Sequence, residues 1–111
     1  MDAESWVTQA RKGLLELCIL NFLRGESLYG YEIVKRLERV PGLVIAEGTI
    51  YPILSRFKAD GLVDTYLQES DRGPVRKYYR LTPVGKRAVQ DMNGKWEELK
   101  RAIAGIVEEV S

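Results

Sequence analysis

Histidine is absent from the 111 residues, and cysteine occurs once, as Cys18. The first absence removes the commonest metal ligand and the commonest general base, which excludes zinc sites, His-containing triads and imidazole relays. The second excludes an intrachain disulfide. Flanked by Leu17, Ile19 and Leu20, Cys18 reads as a small core residue rather than a redox sensor. Long apolar runs are missing too. The longest mainly apolar stretch, Leu14 to Leu23, is broken by Glu16 and Asn21 and falls well short of the roughly 20 residues a bilayer span requires. Asp2 and Glu4 stand where a secretory signal would be basic. The expectation is a cytoplasmic protein with no membrane association, no metal and no cofactor. No paired nucleophile and base is apparent either, so no catalytic residue is assigned and the chain is not read as an enzyme.

What is present suits a soluble fold: 45% apolar and 30% charged residues, in a length that allows one domain with an appended helix. The net charge of +1 conceals an uneven distribution, because residues 71–87 alone carry +5. A local basic patch can hold phosphates in a near-neutral chain, since screening limits each charge to about 8 Å at physiological salt. The same run could be a solvated loop, and its surroundings must decide.

Residues 5–24 read as a helix with a thick apolar face of Trp6, Ala10, Leu14, Leu17, Cys18, Leu20, Phe22 and Leu23, ended by Arg24-Gly25. Ser27 is the expected N-cap of a short second helix, in which Gly30, Ile33, Val34 and Leu37 share one side and which Pro41-Gly42 stops. A third helix starts between Ala46 and Thr49 and runs to Asp60-Gly61, with Ile50, Ile53, Leu54 and Phe57 facing the core. At about 100° per residue, its opposite face carries Pro52, Ser55, Arg56 and Ala59, with Tyr51 and Lys58 on one flank and Thr49 on the other. If Thr49 is the cap, Pro52 falls in the first turn at little cost; if Ala46 is the cap, a kink is expected.

Two strands follow, in which Val63, Thr65 and Leu67 alternate with Asp64, Tyr66 and Gln68, and Lys77, Tyr79 and Leu81 alternate with Arg76, Tyr78 and Arg80. Their link, Glu69 to Val75, contains Gly73-Pro74 and makes a basic hairpin tip. Thr82-Pro83 then signals another helix start. From Met92 the apolar residues Trp96, Leu99, Ile103, Ile106 and Val110 recur in steps of four and three, a coiled-coil seam.

Three helices followed by a hairpin is the order of a winged helix-turn-helix, in which the third helix enters the major groove and the hairpin tip reaches the adjacent backbone or minor groove. The expected fold is mainly α (α+β), with residues 1–82 forming an N-terminal helix plus DNA-binding domain and residues 83–111 a long C-terminal dimerisation helix.

Three local sequences sharpen this reading: Tyr29-Gly30-Tyr31-Glu32-Ile33, Gly48-Thr49-Ile50-Tyr51-Pro52-Ile53-Leu54, and Arg76-Lys77-Tyr78-Tyr79-Arg80-Leu81-Thr82-Pro83-Val84-Gly85. In this order and spacing, from Gly13 to Gly85, the chain closely resembles the PadR family of bacterial transcriptional regulators, and its short length is similar to the multidrug-responsive LmrR-type subfamily. The resemblance implies a homodimer formed through the last helix, binding to double-stranded operator DNA, and repression of neighbouring genes relieved by a small planar aromatic or hydrophobic effector. It also implies recognition-helix contacts from Thr49, Tyr51, Ser55 and Lys58, a phosphate contact from Tyr29, and wing contacts from Arg72, Arg76 and Lys77. Family members often place a capping serine where this chain has Ala46, a loss that typically costs about 1 kcal/mol.

The aromatic residues carry alternatives. Tyr79 shares a strand face with Leu81 and reads as core, which leaves Tyr78 to pack on a neighbouring helix or to approach phosphate. Tyr31 reads as structural. Trp96 lies on the dimerisation seam with Met92, Leu99, Ile103, Ile106 and Val110, and either packs alone or also stacks on an effector, with Trp6 as a second wall. Two readings of other classes remain: a helix-mediated protein-interaction module, and a small-molecule-binding protein without DNA binding.

Overall fold

A computed structural model describes residues 2–40, 42 and 45–110; Pro41, expected to help end the second helix, lies outside them, as do Met1 and Ser111 at the ends of the two expected segments. The order is α1 (Ala3–Gly25), β1 (Leu28–Tyr29), α2 (Gly30–Glu38), α3 (Glu47–Ala59), β2 (Val63–Gln68), β3 (Arg76–Leu81) and α4 (Pro83–Glu109). The four helices and small antiparallel sheet make a winged helix fold with a long C-terminal helix. No helix is long and apolar enough to cross a membrane among the described residues.

Helix α1 begins earlier than its apolar pattern predicts because the Asp2 carboxylate accepts the Ser5 N–H at 2.7 Å. Ser27 is not the cap of α2. Leu28 and Tyr29 are instead extended and pair with Tyr79 and Tyr78 of β3, so the helix can start only at Gly30. There the Glu32 carboxylate accepts the Tyr29 N–H at 3.2 Å. Ala46 caps α3 without a side-chain bond, and Thr49 donates its N–H to the Ala46 carbonyl at 3.0 Å instead of acting as the cap. Pro52 therefore lies inside the helix and deprives the Gly48 carbonyl of its donor, yet α3 continues unbroken to Ala59.

The far end of α3 closes as the sequence predicts. Gly61 adopts φ 75°, its N–H bonds to the Lys58 carbonyl at 3.1 Å, and the Leu62 N–H bonds to the Phe57 carbonyl at 2.9 Å, a Schellman closure. That turn also anchors α4. Thr82 caps α4 by accepting the Gly85 N–H at 3.0 Å and donates its own hydroxyl to the Gly61 carbonyl at 2.6 Å. Gly85 lies so close to Leu62 that a Cβ there would fall 1.9 Å from the Leu62 carbonyl oxygen. The start of α4 is thus locked to the end of α3.

The sheet order is β1-β3-β2, with Val63 opposite Leu81, Thr65 opposite Tyr79 and Leu67 opposite Lys77. One sheet face covers a core built from Leu15, Ile19, Leu20 and Leu23 of α1, Ile33, Val34 and Leu37 of α2, Ile50, Leu54 and Phe57 of α3, and Val89 of α4. Tyr79 is buried and Tyr78 points to the other face, where it packs on tyrosines of the neighbouring strands. Helices α1 and α4 are also joined by a reciprocal amide pair, Asn21 with Asn93, at 2.8 and 2.9 Å. Beyond Trp96 the helix leaves the core, and Leu99, Ile103, Ile106, Val107 and Val110 are exposed.

Candidate nucleic-acid interface

Helix α3 and the β2–β3 hairpin form the two walls of a cleft. The core face of α3 is fixed by Ile50, Leu54 and Phe57, so Tyr51, Ser55 and Lys58 project outward. Toward its C-terminal end the cleft is lined by Ser55, Lys58, Ala59, Thr65, Lys77 and Tyr79. Toward its N-terminal end it is lined by Tyr29, Gly30, Tyr51, Val75, Arg76, Lys77 and Tyr79. Lys77 and Tyr79 border both halves, and among the described residues no acidic side chain lines either.

Individual side chains are held in place. Lys58 donates to the Thr65 hydroxyl at 3.2 Å, which bridges the end of α3 to β2. The Tyr51 ring and hydroxyl lie over Gly30, where an added Cβ would fall 2.6 Å from a ring carbon and 2.7 Å from the hydroxyl oxygen. Burial pushes the Tyr79 phenol above its ordinary pKa, and the nearby Tyr51 adds to that shift. On the outer sheet face the Arg76 guanidinium lies 4.6 Å from the centre of the Tyr29 ring.

Six of the residues assigned from the sequence thus converge on one cleft: Tyr29, Tyr51, Ser55, Lys58, Arg76 and Lys77. Two do not. Thr49 lies on the opposite flank of α3, in a separate hollow with Thr8, Arg11, Lys12, Leu15, Gly42, Ile45 and Ala46. Arg72 is exposed at the hairpin tip, outside the cleft lining. Sequence reasoning missed Gly30, Ala59, Thr65, Val75 and Tyr79 as cleft residues, Tyr79 because it reads as core. The alternation of β2 and β3 could have found Thr65, which shares a face with Tyr79. Arg56, on the outward face of α3, forms an ion pair with Glu16 of α1, and nothing in the local pattern announces that partner.

A second surface lies between α1 and α4, where Gly13, Leu14, Leu17, Asp91, Met92, Lys95, Trp96 and Leu99 line a shallow, mainly apolar hollow. Trp96 is half-buried there. Trp6 is 56% exposed and is not among the residues lining this hollow, so one chain alone does not unite the two tryptophans.

Comparison with known proteins agrees with this geometry. The model of the transcriptional regulator PadR-like family matches residues 19–91. A transcriptional regulator from Mycobacterium tuberculosis is 33% identical over 95 residues, covering 86% of this chain and 87% of that protein. Among solved structures, a PadR-like transcriptional regulator from Bacillus cereus has a TM-score of 0.81 at 33% identity, covering 89% of this chain and 96% of that one. The Bacillus subtilis PadR structure, solved in complex with operator DNA, has a TM-score of 0.63 at 27% identity, covering 71% of this chain and 46% of that one.

Proposed function

This chain belongs to the PadR-like family of transcriptional regulators, and from that premise we propose that it acts as a homodimeric repressor of neighbouring genes, binding double-stranded operator DNA and released by a small aromatic effector. The observation that carries the DNA-binding part is the acid-free cleft in which Lys58 from α3 and Arg76 and Lys77 from β3 converge. Helix α3 enters the major groove, where Ser55 is short enough for close approach to base edges, while the hairpin lies along the adjacent backbone. Tyr51, Lys58, Arg76 and Lys77 supply the phosphate-side contacts, and Tyr29 forms part of the cleft wall beside Arg76. Thr49 and Arg72 extend the footprint beyond it on either side. No catalysis forms part of this role.

The chain divides into a DNA-binding unit, residues 1–82, and a dimerisation helix, residues 83–111. Isolated, the second half of α4 exposes Leu99, Ile103, Ile106 and Val110 in the spacing of a coiled-coil seam, an apolar surface that pairing with a second copy removes from water. Met92 and Trp96 continue that seam to the hollow beside α1. Twofold symmetry then presents two α3 helices to half-sites roughly 10 bp apart.

An effector stacked on Trp96 between subunits, with Trp6 of either copy as a further wall, releases DNA only if it prefers a dimer geometry that mismatches this spacing. The fold supplies a rigid connection for such a change, because the Thr82 bond to Gly61 and the Gly85 contact with Leu62 make α3 follow α4. A gel shift of the protein with its own upstream DNA, with and without planar aromatic dyes, tests both parts. Retarded DNA released by dye supports the reading, and DNA that is never retarded refutes it.

A further inference from the structure

The outer face of the sheet carries an aromatic run of which only Tyr29 borders the DNA-binding cleft. Tyr66 and Tyr78 stack across β2 and β3 at 5.3 Å, and Tyr78 meets the Tyr29 ring edge-on at 5.4 Å. Tyr29 continues the run to Tyr31 of α2 at 6.4 Å. Three cations lie on this run: Lys35 over Tyr31, Arg76 over Tyr29 and Arg80 over Tyr66. Two of them are already paired with acids, Lys35 with Glu38 at 3.5 Å and Arg80 with Asp64 at 2.6 Å. Arg76 has no ion pair among the described residues, and it alone of the three lines the cleft. It is the cation whose charge is available to an incoming phosphate.

We propose that Tyr29, braced by Tyr78 and Tyr66, is a positioning residue that holds the Arg76 guanidinium on its ring, at the mouth of the cleft, before DNA arrives. A free arginine side chain has many rotamers to lose when it contacts a phosphate, and a guanidinium already stacked on a ring has fewer. This role differs from a direct phosphate contact by the Tyr29 hydroxyl, because it needs the ring and not the oxygen. It rests on the DNA-binding reading for its consequence, although the stack itself exists without DNA.

Two measurements test it. In the DNA-free protein, ring current should shift the Arg76 side-chain proton resonances upfield; Tyr29→Phe keeps that shift and Tyr29→Leu abolishes it. Unshifted Arg76 protons in the wild type overturn the proposal whatever the protein binds. With a duplex of its own upstream DNA, Tyr29→Phe should bind within about twofold of wild type, and Tyr29→Leu should lose about fivefold or more, as one lost cation–π contact per subunit implies. In an Arg76→Ala background, Tyr29→Leu should cause no further loss. Equal losses from Tyr29→Leu with and without Arg76, or a Tyr29→Phe loss as large as that of Tyr29→Leu, overturn it. A wild type that ignores DNA refutes the DNA-binding reading, while the resonance shift still decides the stack. If Tyr29→Leu does not fold, Tyr29→Phe and the wild-type shift remain decisive.

Discussion

The aromatic ring of Tyr51 on α3 occupies the space that a side chain at Gly30 on α2 would need. Gly30 does not have a positive φ, so its lack of a Cβ serves contact rather than backbone conformation. The contact joins two of the segments on which the family resemblance rests, Tyr29 to Ile33 and Gly48 to Leu54.

Substituting Gly30→Ala should push the Tyr51 ring aside; because that ring is the exposed end of a flexible side chain, the penalty should stay below about 1 kcal/mol. Chemical denaturation measures it. In a Tyr51→Ala background the penalty of Gly30→Ala should disappear or reverse. A penalty unchanged by the removal of Tyr51 would place the clash elsewhere.

Lys58→Ala and Lys77→Ala should each weaken operator binding and flatten its dependence on salt. Every phosphate contact contributes about 0.9 to the slope of log K against log salt, and a homodimer loses each contact twice, so each variant should lower the slope by roughly 1.8. Fluorescence anisotropy over a salt series reads this directly. Ser55→Ala should leave the slope unaltered and change the preferred sequence instead, as operator selection would show.

The seam of α4 should fail when charged. Burying one isoleucine contributes about 1.5–3 kcal/mol, and each substitution acts in both subunits, so Ile103→Asp combined with Ile106→Asp should raise the dimer Kd by at least about three orders of magnitude. Sedimentation velocity should show one copy per particle, with the core around Leu54 still folded. An undisturbed dimer would assign pairing to another surface.

Burial pushes the Cys18 thiol above its ordinary pKa. A raised pKa means less thiolate at pH 8, so iodoacetamide should modify Cys18 more slowly in the folded protein than after denaturation. The difference should narrow as pH rises toward the raised pKa. Equal rates at pH 8 would contradict its partly buried position against the core.

Much of this architecture is legible in the sequence where one residue's environment is set by near neighbours. The alternation around Tyr78 and Tyr79 assigns the two to opposite faces, Gly61 ends α3, and Thr82-Pro83 starts α4, because each follows from local backbone chemistry. Ser27 misleads, since pairing of Leu28 and Tyr29 with β3 overrides a favourable cap, and a two-residue strand has no periodicity to read. The cleft is legible as a list of basic residues but not as a shape. That Tyr29 supports Arg76, or that Glu16 holds Arg56, depends on strand register and helix packing between residues 40 or more positions apart.

If the cations of α3 and the hairpin meet the phosphates of a duplex, a salt series on the wild-type protein with its own upstream DNA reads that contact out. Binding should be tight at low salt and fall steeply as salt rises, with a slope that Arg76→Ala and Lys77→Ala both reduce. Binding that is absent at low ionic strength, or insensitive to salt, would contradict it.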